Sequence, residues 1–86
     1  MTEPELADLR ARARAGDLDA VDELVELAGE RQDLDELRQL SDRGSATATD
    51  ELIQLATELE DLTELRRLAG QGNVTAAEQL AELSED

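Results

Sequence analysis

The chain has 86 residues with 23 acidic and 8 basic side chains, a formal charge of −15 and an isoelectric point near 4.1. All eight basic residues are Arg, and Lys, His, Cys, Phe, Trp and Tyr are absent, which excludes imidazole and thiolate catalysis, zinc and iron–sulfur sites, and disulfides. No aromatic platform is present for bases to stack on, and the negative field repels phosphate, so nucleic acid is excluded as a partner.

Helix signals follow one another along the chain. Thr2, with Glu5 three residues on, predicts a helix over 1–15 that carries Leu6 and Leu9 and ends at Gly16. Asp17 then caps a helix over 17–31, with Ala20, Leu24 and Leu27 on one stripe. Asp33 with Glu36 opens a helix over 34–43, whose stripe is Leu34, Leu37, Leu40 and Ser41. Ser45 opens 45–59, with Ala48, Leu52, Leu55, Ala56 and Leu59 at i, i+4, i+7, i+8 and i+11. Asp61 with Glu64 opens 62–71, and Asn73 opens 73–84 with Ala76, Leu80 and Leu83. Gly16, Gly44 and Gly72 stand where a helix end needs a left-handed residue.

These elements repeat. Setting Leu6, Leu34 and Leu62 in register aligns Leu9/37/65, Arg10/38/66, Gly16/44/72, Ala20/48/76, Leu24/52/80 and Leu27/55/83 without a gap, a period of 28 residues. The predicted fold is all-α: a right-handed α-solenoid of three stacked helical hairpins in a single domain, with copies at 6–33, 34–61 and 62–86. Helices of 10 to 13 residues are marginal alone, so their stability must come from stacking between neighbours. A core of Leu and Ala without aromatics predicts a marginally stable fold. Protonation towards pH 4 is expected to relieve self-repulsion, opposed by loss of the capping carboxylates Asp17, Asp33 and Asp61.

Departures between the copies carry information of their own. Arg12 replaces the Leu40/Leu68 column and Arg31 replaces the Leu59 column, as suits a first hairpin that faces water. The third copy keeps Ala76, Leu80 and Leu83, and an uncovered apolar stripe there predicts a weak homodimer through the C-terminal helix.

The pattern Leu-x-x-Leu-Arg … Gly-[Asp/Ser/Asn]-x-x-Ala-x-x-x-Leu-x-x-Leu covers Leu6 to Leu83. It resembles the short relatives of tetratricopeptide and Sel1-like repeats found in multidomain signalling proteins of high-GC actinobacteria, and more weakly HEAT-like repeats. The resemblance implies a helical-hairpin solenoid used for protein contacts, with no catalytic residue to carry over. Such repeats often have Gly where Gln32 and Glu60 stand. The reduced alphabet supports an alternative, a designed or reconstructed repeat protein with no natural ligand.

Candidate sites are few. Asp17, Asp19, Asp22 and Glu23 lack the alternating ligands and central Gly of a calcium loop and are expected to be a helix cap with an acidic first turn. Gly70-Gln71-Gly72 is expected to be a helix end rather than a phosphate loop. The column Arg10, Arg38 and Arg66 is expected to pair with helix acids such as Glu26 and Glu82, or alternatively to grip an acidic or C-terminal carboxylate peptide. No catalytic, cofactor-binding or metal-binding residue is predicted. No apolar run approaches 18 residues and no signal peptide follows Met1, so a cytoplasmic protein without membrane contact is expected. The predicted function is a non-enzymatic helical-repeat module for protein–protein interaction or scaffolding. Its charge would steer a basic protein or peptide partner.

Overall fold

The computed structural model describes residues 2–84 and consists of six helices: α1 (Glu3–Arg14), α2 (Leu18–Arg31), α3 (Leu34–Asp42), α4 (Ala46–Glu58), α5 (Leu62–Gly70) and α6 (Val74–Ser84). All six expected caps are in place. The Thr2 hydroxyl accepts the amide of Glu5, Asp17 those of Asp19 and Ala20, and Asp33 that of Glu36. Ser45, Asp61 and Asn73 accept the amides of Ala48, Glu64 and Ala76. Each satisfies a donor that the first helical turn leaves without a partner.

Within each hairpin the break between helices is three residues long, with a glycine in the middle. Gly16, Gly44 and Gly72 have φ of +98°, +103° and +96°, a region closed to most L-residues. The next amide closes each helix end, from Asp17 to Arg12 O, Ser45 to Leu40 O and Asn73 to Leu68 O, all at 3.0–3.1 Å. The residue that ends one helix thus caps the next. Between hairpins, Gln32 and Glu60 take the left-handed position with φ of 55° and 53°.

Packing follows chain order. Each first helix lies against its own second helix, α2 packs on α3 and α4, and α4 packs on α5 and α6. The second helices form one continuous layer, and the array measures 46 × 22 × 15 Å. Leu24, Leu37, Leu40, Leu52, Leu65 and Leu68 are the largest fully buried side chains, and Ala20, Ala48 and Ala76 are fully buried where helices approach closely. In α4 two positions depart from the expected stripe. Leu59 is 44% exposed, while Ile53 is buried. Because α4 is flanked by α2 on one side and α6 on the other, its buried arc is wider than one stripe, and Leu59 lies past its last turn as the cap residue.

Arg12 stands in the Leu40/Leu68 column because α1 packs only on α2, whereas α3 and α5 each lie between two second helices. At the other end of the array, the column of Val25 and Ile53 (both buried) holds an exposed Ala81, and the column of Ala28 and Ala56 holds an exposed Ser84.

Leu52→Ala should cost about 2–4 kcal/mol, because Leu52 sits with no exposure in the one second helix flanked by second helices on both sides. Urea unfolding checks this against Glu58→Ala, expected within a few tenths of a kcal/mol. Gln32→Gly and Glu60→Gly should each raise stability by about 0.5–1 kcal/mol, since a non-glycine side chain is strained at φ near +55°. A fall in the urea midpoint for both would mean that these side chains contribute more than their backbone strain removes.

Candidate functional site

The chemistry of this surface is ionic, and it begins at the inter-hairpin turns. The amide of Asp33 bonds to Ala28 O and that of Asp61 to Ala56 O, each at 2.8 Å. In a capping box, the third-residue glutamate would reach back to that amide. Here the amide is already taken, and the glutamate side chain is free to turn outward to the preceding hairpin.

Arginine meets it there. Arg10 Nε donates to Glu36 Oε1 at 2.7 Å, and Arg38 Nε donates to Glu64 Oε1 at 3.0 Å. The arginine column therefore pairs with Glu36 and Glu64 on the next first helix, not with Glu26 and Glu82 as expected. Arg38 also holds Asp35 at 2.7 Å. Arg67 bonds Glu64 at 2.8 Å through Nη2 and lies 3.8 Å from Asp42. Arg66, the third member of the column, is exposed and has no ion-pair partner among the described residues. Two of the three candidate partner-binding arginines are thus occupied within the chain, and one is open.

Glu64 is the pivot of this network, 3% exposed and held by two guanidiniums. Burial by itself would raise its carboxyl, but hydrogen bonds from Arg67 and Arg38 outweigh that and leave it below the ordinary value of 4.5. Asp17 is likewise lowered, first by the amide of Ala20 and also by Arg12. Arg12 lies 3.3 Å from both Asp8 and Asp17, and it forms the ion-paired cap of the first hairpin.

The charge divides between the two layers. Helices α1, α3 and α5 carry seven carboxylates and six Arg, a net −1; α2, α4 and α6 carry ten carboxylates and one Arg, a net −9. Every ion pair among the described residues lies in the first-helix layer or the turns. The ten second-helix carboxylates have none.

Of the residues expected to form a self-association surface, Ala76 is fully buried within the array, while Leu80 and Leu83 are half-buried against the core. The sixth helix leaves Val74, Ala77 and Ala81 exposed. Any contact through it would rest on these small side chains and the outer parts of the two leucines. Among the described residues no group of His, Cys, Asp and Glu is arranged to hold a metal ion, and no helix is long and apolar enough to cross a membrane.

No protein family, curated protein or solved structure matches this chain.

Glu64→Gln should destabilise the protein by about 1.5–3 kcal/mol at pH 7 by removing charged hydrogen bonds from a buried site. A carboxyl lowered on folding stabilises the folded state above its unfolded value and loses that contribution as pH falls through its folded value. Acid unfolding of the wild type should accordingly steepen below about pH 4.5, and Glu64→Gln should flatten that limb. Superimposable acid limbs, followed by circular dichroism, would assign the transition to other carboxylates.

Proposed function

We propose that the chain is a non-catalytic interaction module of the helical-repeat kind, whose second-helix layer receives a basic protein segment. The observation that supports this reading is the set of ten second-helix carboxylates, none ion-paired among the described residues, in a molecule whose ion-paired arginines, Arg10, Arg12, Arg38 and Arg67, all lie in the other layer. An unpaired anionic layer along an array 46 Å in its longest dimension speeds encounter with a cationic partner and rejects acidic ones. The chain has no imidazole or thiolate, the side chains most used as catalytic base and thiol nucleophile.

Two triple variants with the same net charge test the role of the face. Glu26→Gln/Glu30→Gln/Glu58→Gln removes three charges from the second-helix layer, and Glu3→Gln/Glu5→Gln/Glu60→Gln removes three from outside it. Fluorescence anisotropy with a labelled lysine-rich peptide should show affinity reduced about tenfold by the first triple and less than about twofold by the second. Wild-type binding should weaken steeply with salt. Equal losses in the two triples would reduce the effect to net charge and remove the face.

A further inference from the structure

A groove of about 860 Å³ opens between the first two hairpins at the glycine-turn edge. Ala13, Val21 and Leu40 contribute apolar wall, and Leu18 projects there with 75% of its surface exposed. Arg14 and Arg43 also line it. Both are exposed, and neither has an ion-pair partner among the described residues. In a chain with 23 carboxylates and 8 guanidiniums, two unpaired arginines beside one apolar groove are a local reversal of the molecule's charge. Asp22 is the one acidic residue in the lining.

The repeat supplies an internal control. One period on, between the second and third hairpins, Arg14 is replaced by Asp42, Arg43 by Gln71, Leu18 by Ala46 and Val21 by Thr49. There Asp42 lies 3.8 Å from Arg67, and the Thr49 hydroxyl is hydrogen-bonded to Ser41. The backbone repeat alone therefore does not produce an apolar, basic groove. Four substitutions confined to the first junction do. Val21 also packs against the core, but the other three are not used by the fold: Leu18 is largely in water and both arginines are exposed and unpaired among the described residues.

We propose that this groove docks an acidic peptide segment carrying one bulky apolar side chain. The apolar side chain covers Leu18 and enters between Val21 and Leu40, and carboxylates on either side of it pair with Arg14 and Arg43. A basic segment, which the net charge would attract elsewhere on the molecule, meets two like charges here. The groove and the second-helix layer are thus separate surfaces of opposite preference, and this inference does not depend on the basic-partner reading.

A random dodecapeptide phage library panned on the immobilised wild-type chain, after depletion on Arg14→Glu/Arg43→Glu, tests the assignment. The surviving sequences should share a large aliphatic or aromatic residue flanked by Asp or Glu. By fluorescence anisotropy, a labelled peptide of that consensus should bind the wild type at least about tenfold more tightly than Arg14→Glu/Arg43→Glu. It should bind Leu18→Ser several-fold more weakly than wild type, and Arg31→Glu within about twofold of it. Circular dichroism melting of each variant separates loss of binding from loss of fold, and the exposed positions predict unchanged midpoints. No enrichment, a basic consensus, or a consensus peptide indifferent to Arg14→Glu/Arg43→Glu would overturn the proposal.

Discussion

Two backbone hydrogen bonds, Asp33 N to Ala28 O and Asp61 N to Ala56 O, set the relation between hairpins. They tighten the end of each second helix around a left-handed residue and direct the chain into the next first helix. By occupying the cap amide they also deny it to Glu36 and Glu64, whose carboxylates then face the preceding first helix instead. Arg10 and Arg38 reach them across 26 residues of sequence. Apolar stacking of short helices supplies most of the stability, and these charged contacts add direction to it.

Placing most of the arginines in the first-helix layer leaves the other layer with its charge uncompensated. Ten carboxylates on α2, α4 and α6 repel one another across a surface with a single Arg. That repulsion works against the compact state and in favour of cationic partners by the same electrostatics. The buried Glu64 behaves in the opposite way: its ionised form is held by two guanidiniums, and protonation removes a contact rather than relieving one. Acid thus acts in opposite senses on the two layers.

Differences between copies are informative because the backbone around them is repeated. At the first junction Leu18, Val21, Arg14 and Arg43 make an apolar, basic groove, where the second junction has Ala46, Thr49, Asp42 and Gln71. At the far end of the array, Ala81 and Ser84 stand where Ile53 and Ala56 are buried. The exposed surface of α6 is accordingly shallower than its leucines suggest. Both differences lie at residues that neighbouring hairpins would cover or leave open, where packing constrains identity least.

Helix number, order and caps were legible from residue order because they depend on contacts within about five residues: an Asp, Ser or Asn oxygen to the third amide, a glycine at positive φ, a leucine every third or fourth position. The 28-residue register came from the same local pattern repeated. Other features depend on residues distant in sequence. Glu36 as the partner of Arg10, the second burial side of α4 that takes in Ile53, the exposure of Leu59 and the half-burial of Leu80 and Leu83 all follow from which helix lies alongside. The groove at the first junction is of this kind too: Arg14 and Arg43 are 29 positions apart, and only the stacking of one hairpin on the next brings them to a common wall. Local hydrogen bonding and periodicity made the helices; the distance-dependent forces between packed helices decided which charges were paired and which were left unpaired.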